Sequence, residues 1–391
     1  MRIGMVLSNH TYPPDPRVAK EARVLADAGH EMHLLALAAP QQPSRERVGV
    51  FDVERHRQPA GIAGKLDALV NLLTYSSPSW RSRIRLFIQE NRIEALHIHD
   101  LHMARAALQA ARAEGVPATL DLHENYPEAL RHYKRKRLYK VFLSPRRTER
   151  LESDCIRRAD RVVVVVDEAK DRLVSDGVPA DKVIVFGNME PRAWAEKDTS
   201  VPDLSHGPRL AYFGNVDPHR GLDTAIAAMP MILERSGDAR LTIIGPGASV
   251  DDLERQAELL GVGDAVSFLG WMDAVEAMDI IATSTIALVP HHRSPHTDAT
   301  MPHKLFQYMG LGRPVLVSDC PPLARVVRES GAGEVFTSGD PVSFADAVGR
   351  MHDPDVAASQ WAAGRSAVAG RYNLEADAEA LLGVYAEGSS R

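Results

Sequence analysis

Cysteine is nearly missing from this chain. Cys155 and Cys320 are the two in 391 residues, which leaves no basis for a disulfide framework or a thiolate metal site. No apolar run approaches the ~20 residues that a membrane span needs. The apolar start at 3–7 is too brief for a signal-peptide core and fits a first buried strand, so the expected location is the cytoplasm. An excess of positive charge is lacking too: the net charge is −6, which argues against nucleic acid as a partner. No short repeat or low-complexity tract occurs. The first strand-to-helix junction, 8–15, has none of the G-x-G-x-x-G spacing of dinucleotide-binding oxidoreductases.

What is there is ordinary in composition, 45% hydrophobic and 25% charged, and long enough for two cores at roughly 150 residues per domain. Apolar strand candidates at 3–7, 32–37, 96–98, 119–122, 162–166 and 183–186 alternate with helical patterns. A second series follows at 209–213, 241–244, 266–269, 286–289, 315–317 and 334–336. That order predicts an α/β protein of two Rossmann-like, doubly wound domains. The first helix is delimited by Asp15 as N-cap, Pro16 at its first position and Gly29 as its stop. The predicted division is a first domain over 1–190, a second over 209–370 and a terminal helix within 371–391 that packs back towards the first. The polar stretch 188–208, broken by Pro191, Pro202 and Pro208, reads as the linker.

Ligands of parallel α/β sheets collect beyond the strand carboxyl ends. Two such junctions carry chemistry. After the strand at 119–122 come His123, Glu124 and Asn125. The histidine either orients or deprotonates a hydroxyl, hydrogen-bonds a donor group, or is simply held under a loop. His97, His99 and His102 cluster around Asp100, and alternation along the strand keeps all three from facing one side. After the strand at 209–213 come Gly214 and Asn215, with Arg220 and Gly221 opening the next helix. There a phosphate could meet a guanidinium and helix-end amides; the bland alternative is a turn glycine and a solvated arginine. The loop 291–303 is long and holds His291, His292, His296 and His303. Only Asp298 is a nearby carboxylate, so no metal is expected. Lys304 reads equally as a phosphate contact or a surface lysine.

These pieces, taken in order, resemble the glycosyltransferases of GT-B fold related to glycosyltransferase family four. They comprise Tyr12, Pro13, Pro14, Asp15, Pro16 and Arg17 with Glu21; Asp121, His123 and Glu124; Gly214, Asn215, Arg220, Gly221 and Asp223; and Pro302, His303, Lys304, Gln307, Gly312 and Pro314. The likeness spans essentially the whole chain. It implies two Rossmann-like domains facing a central cleft, an acceptor-binding first domain and a second that takes a nucleotide-diphosphate sugar. His123 then matches the family's cleft histidine with Glu124 beside it as catalytic, and Asp15, Arg17 and Asn125 lie on the acceptor side. Gly214, Asn215, Arg220, Gly221, Lys304 and Gln307 form the donor site. Where many relatives carry two glutamates eight positions apart, this chain has Ala299 and Gln307. The implied reaction is sugar transfer with retention, without metal or other cofactor, to a sugar or lipid-linked acceptor in polysaccharide or glycoconjugate synthesis. The alternatives are a non-catalytic sugar- or partner-binding protein and a nucleotide-sugar epimerase-type enzyme.

Two basic patches sit in the first domain. Nine lysines or arginines fall between 131 and 150. In 79–89, Trp80, Ile84, Phe87 and Ile88 share a helical face beside Arg81, Arg83 and Arg85. They are either ordinary solvated helices or a peripheral dock on an anionic membrane at the inner face.

Overall fold

The computed structural model describes residues 1–132 and 144–386. Two compact units emerge, one of Met1–Gly187 with Asp377–Arg391, the other of Asn188–Ala376.

In the first unit the strands are β1 (Arg2–Thr11), β2 (Glu31–Leu37), β3 (Arg45–Val48), β4 (Phe51–His56), β5 (Ala95–His99), β6 (Ala118–Leu122), β7 (Arg161–Val164) and β8 (Val183–Val185). They form one sheet in the order β3-β4-β2-β1-β5-β6-β7-β8, parallel except where β3 meets β4. The reversal of direction from β1 sets the switch point between β1 and β5, where such sheets collect their ligands. The helices are α1 (Pro16–Asp27), α2 (Gly61–Thr74), α3 (Pro78–Glu90), α4 (Ala104–Glu114), α5 (Tyr126–His132), α6 (Pro145–Arg158) and α7 (Asp167–Ser175). Helix α1 begins as its sequence dictates: Asp15 accepts from the amide of Val18 at 3.1 Å, and Pro16 occupies the first turn. The β3–β4 hairpin went unread because its residues, RERV and FDVERH, are charged, as suits an edge of the sheet.

The second unit holds β9 (Arg209–Phe213), β10 (Arg240–Ile244), β11 (Val266–Phe268), β12 (Ile286–Val289), β13 (Val315–Ser318) and β14 (Gly333–Phe336), all parallel, in the order β11-β10-β9-β12-β13-β14. Its helices are α8 (Leu222–Arg235), α9 (Val250–Leu259), α10 (Ala274–Thr283), α11 (His303–Gly310), α12 (Pro321–Ser330), α13 (Pro341–Met351) and α14 (Pro354–Gly370). Leu210, Tyr212, Ile226, Leu241, Leu288 and Phe344 are among the buried side chains of its core. The segment 188–208, expected as a linker, belongs to this unit. Its residues Arg192–Glu196 form a 3-10 turn, and a Cβ on Gly310 would lie 2.9 Å from Trp194 Cβ, so the turn is packed rather than free. Helix α15 (Leu374–Ala386) starts in the second unit and ends in the first.

One further correction concerns the basic patches. Trp80, Ile84 and Phe87 of α3 are fully buried, so that apolar stripe is a core face. Lys134, Arg135, Lys136, Arg137 and Lys140 lie outside the described residues. No helix among the described residues is long and apolar enough to cross a membrane.

Candidate functional site

In the second unit the strand ends of β9 and β12 bring Gly214, Arg220, His291 and Lys304 together. Gly214 follows β9 with φ +133°, a conformation that glycine alone adopts easily, and a Cβ there would lie 2.6 Å from Lys304 Nζ. The lysine is in the first turn of α11. Its ammonium lies 3.8 Å from the Tyr212 ring centroid, is shielded from water, and has no hydrogen-bond partner. Burial, and then the charge of Arg220, hold its pKa well below that of an ordinary lysine. Arg220 closes a 3-10 turn and precedes Gly221, the N-cap of α8. Its Nη1 contacts His291 Nε2 at 3.1 Å, while its Nε has no partner. Burial and the neighbouring cations Arg220 and Lys304 depress the pKa of His291, leaving a neutral ring. Among the described residues neither Arg220 nor Lys304 is in an ion pair with a carboxylate. Two basic side chains with shielded nitrogens and no carboxylate against them, at a helix N-terminus, suit an anion, which would also favour the charged form of the lysine.

Asn215 points to solvent, and its carbonyl accepts the Tyr212 hydroxyl at 2.6 Å. Gln307 donates to Glu190 Oε1 at 2.9 Å, and Glu190 is buried. That carboxylate was missed, 117 residues away in sequence. Of the long loop's histidines, His292 pairs with Asp223 at 2.7 Å, while the rings of His291 and His296 lie 6.3 Å and 5.8 Å from that of His219; Asp298 pairs with Arg293 at 2.8 Å.

In the first unit the period of two along each strand puts His97 and His99 of β5 on the same face as Asp121 of β6, with His123 just beyond it. His123 Nε2 is 2.7 Å from Asp121 Oδ2, and its Nδ1 is 3.4 Å from Asp100 Oδ2. Burial disfavours the imidazolium, yet Asp100 and Asp121 outweigh it and push the pKa up to about 9. His123 is therefore a proton donor at neutral pH, and deprotonating a hydroxyl is not open to it in that state. Asp100 sits at φ +61° after β5 and accepts from Asn9 Nδ2 at 2.8 Å.

Arg17 lies behind this histidine. It grips Asp121 through Nε at 3.0 Å and Nη2 at 2.7 Å, reaches Glu21 at 3.0 Å, and donates to the Phe186 carbonyl at 2.9 Å. Buried and fully engaged, it cannot meet an acceptor directly from this position, contrary to the role expected for it. It positions Asp121 instead. Asp15 is similarly occupied, with His10 Nε2 at 2.7 Å and the α1 cap. Asn125 is buried and Glu124 half-buried beside them. His97 completes the cluster, with Nε2 3.1 Å from Glu21 and Nδ1 2.6 Å from the Tyr385 hydroxyl. Burial opposes its charge, but Tyr385, Asp121 and Glu21 raise its pKa well above the ordinary value; His99 is held neutral by burial. Arg17, His97 and His123 thus stand against Glu21, Asp100 and Asp121, three charges against three.

Glu21, His97, His99 and Asp121 offer four ligand atoms within 4.8 Å of one another. Both carboxylates are already held by Arg17, so a cation there would have to displace a bound guanidinium.

Two family models match the chain, "Glycosyltransferase Family 4" over residues 17–189 and "Glycosyl transferases group 1" over residues 207–353. A phosphatidyl-myo-inositol mannosyltransferase of Mycobacterium leprae is 23% identical over 98% of this chain and 96% of its own. A glycogen synthase of Mycobacterium tuberculosis is 26% identical over 96% and 91%. Among solved structures, the sucrose-phosphate synthase of Thermosynechococcus elongatus superposes with a TM-score of 0.76 at 18% identity, covering 98% of each chain. Anabaena HepE in complex with UDP gives 0.75 at 13%, covering 98% of this chain and 99% of its own.

Proposed function

Because the chain belongs to the GT-B glycosyltransferases related to family four, we propose that it moves a sugar from a nucleotide-diphosphate donor to a hydroxyl acceptor with retention at the anomeric carbon. The observation that carries this reading is the buried, unpartnered Lys304 ammonium beside Arg220 and opposite Gly214. A diphosphate supplies the charge that these two cations lack. One neighbouring fold is described with UDP bound, which supports a nucleotide donor.

In the reaction the bond from C1 to the diphosphate oxygen breaks and the acceptor oxygen bonds to C1 on the same face. The acceptor proton passes to the departing phosphate oxygen. Arg220, Lys304 and the α8 amides stabilise the charge that accumulates on the leaving group. Gly214 leaves room for the diphosphate to approach, and the half-exposed Gln307, steadied by Glu190, hydrogen-bonds a donor hydroxyl. His123 serves as a hydrogen-bond donor to a substrate oxygen through Nδ1, the end it holds less tightly, and Glu124 and Asn125 border it. No metal is needed in this scheme, since the cations are side chains. One relative is named for transfer to phosphatidyl-myo-inositol, which supports a lipid-linked acceptor reached from the membrane surface.

Thermal unfolding with UDP, GDP, ADP and dTDP, each with a chelator present, tests the donor site. A nucleotide at 100 times its dissociation constant should add roughly 2.7 kcal/mol, and Arg220→Ala should abolish the response. No stabilisation by any nucleotide would overturn the assignment.

A further inference from the structure

Asp377, Leu381 and Tyr385 follow one another at a spacing of four along α15 and so share one face of that helix. All three are held in the first unit, to which this part of the helix belongs. Asp377 accepts from the Gly187 amide at 2.7 Å, Leu381 is fully buried, and Tyr385 is 4% exposed. The face is docked along its length and ends on a buried phenol.

That phenol meets His97. Thr119 is the register partner of His97 on the neighbouring strand, so the period of two puts His97, His99, Thr119 and Asp121 on one side of the sheet. There His97 Nδ1 lies 2.6 Å from the Tyr385 hydroxyl, and Thr119 is the other hydrogen-bond partner of that hydroxyl. The opposite nitrogen, Nε2, makes charged contacts without hydrogen-bond geometry, at 3.1 Å to Glu21 and 3.9 Å to Asp121. The ring is thus oriented from its Nδ1 side. A phenol suits this place by its charge. The Nδ1–H of an imidazolium shut off from water needs an acceptor. A carboxylate there would upset the balance of three cations and three anions, whereas a neutral hydroxyl accepts the bond and leaves the balance alone. Burial raises the Tyr385 pKa further above neutrality, so the hydroxyl keeps its proton.

We propose that Tyr385 is a positioning residue for His123: it fixes His97 beside Glu21 and Asp121, and Asp121 in turn holds the His123 ring that faces substrate. The last turn of α15 is thereby part of the support of the site, although Tyr385 touches no reacting atom. This inference rests on the proposed function only for the role of His123. Around His97 stand Arg17 and Glu21 from α1, His99 from its own strand, Asp121 from β6 and Tyr385, with His30 6.2 Å from the Tyr385 ring. Around His123 stand Asp121, Asp100, His99, Arg17 and Asp15. Tyr385→Phe keeps the ring and leaves Nδ1–H without an acceptor, which favours neutral His97. One positive charge then leaves the cluster, Asp121 is compensated more by His123, and His123 gives up its proton at higher pH.

The test uses the full chain with its histidines isotopically labelled at Cε1, titrated by NMR from pH 6 to about 10.5. The His123 signal is identified by its loss in His123→Gln. Its midpoint, about 9 in wild type, should move up by on the order of one pH unit in Tyr385→Phe. His97→Gln keeps a hydrogen-bonding amide between Tyr385 and Glu21 but no charge, and should move the midpoint by a similar amount. The double variant should move it no further than His97→Gln does alone. Thermal stabilisation by UDP, GDP, ADP or dTDP should stay as in wild type, since the donor site lies in the other unit. A midpoint that Tyr385→Phe leaves in place or lowers overturns the proposal, because a packing role alone gives that result whatever the loss of stability. An unmoved midpoint in His97→Gln, or effects of the two substitutions that add in full, overturns it as well. A fixed midpoint with an intact nucleotide response condemns the positioning role alone; a shifted midpoint with no nucleotide response in wild type condemns the donor site alone.

Discussion

Lys304 Nζ stands 3.8 Å from the centre of the Tyr212 ring and has no hydrogen-bond partner. The ring face offers a cation modest attraction, far less than water would. In the unliganded protein this residue is therefore a standing cost, retained for what it does when an anion arrives. Lys304→Met keeps the length of the stem and removes the ammonium. The variant is expected to unfold at higher temperature than wild type, by about 1 kcal/mol at neutral pH, and to lose the stabilisation by nucleotide. A variant less stable than wild type would show that the lysine is structurally satisfied.

The same depressed pKa predicts a proton on binding. A lysine whose folded pKa is lowered binds fewer protons native than unfolded, so its contribution to stability rises with pH towards its unfolded value near 10.4. A diphosphate beside it restores the charged form, and His291, neutral for the same reason, moves in the same direction. Calorimetry of nucleotide binding near pH 8 in buffers of different ionisation enthalpy should report net proton uptake. Heats independent of buffer would mean that Lys304 is already charged.

His123 carries the opposite sign. Its folded pKa is raised to about 9 against ~6.5 unfolded. Its contribution is fully present below the unfolded value and is lost as pH climbs to about 9. Denaturant unfolding from pH 6 to 9.5 should show stability falling over that window by on the order of 2–3 kcal/mol. His123→Gln should reduce the slope without abolishing it, because His97 is raised in the same direction. Turnover should fall over the upper half of the same range if the imidazolium is the working form, and a rise with pH would restore it as a base.

Legibility in the sequence tracked the range of the interactions. Strands such as β9 and β12 were read to the residue because their apolar runs are short, buried on both faces and bounded by breakers. His123, Arg220 and Lys304 stand out in the sequence because each follows a strand or opens a helix, a local signal. Arg17 was found but misplaced: its spacing of four from Glu21 marks an ion pair, while its pairing with Asp121, 104 residues on, has no local trace. Tyr385 and Glu190 were invisible for the same reason, reaching His97 across 288 residues and Gln307 across 117.

The pair of Arg17 and Asp121 admits a sharper test than either residue alone. Both side chains are buried, joined by two hydrogen bonds, and Asp121 also holds His123. Removing the guanidinium in Arg17→Met leaves Asp121 and Glu21 with less compensation, at a cost of roughly 3–5 kcal/mol. Asp121→Asn strands Arg17 and frees His123, at a comparable cost. Since each single change pays for the same lost pairing, the double variant should cost less than the two together, by on the order of 1–3 kcal/mol. Additive effects would mean that Arg17 holds Glu21 and the Phe186 carbonyl and merely adjoins Asp121. The pH profile adds a readout that a packing role would not move: without Asp121, one of the two carboxylates raising the His123 pKa is gone, and the fall in stability with rising pH should be smaller and end at a lower pH.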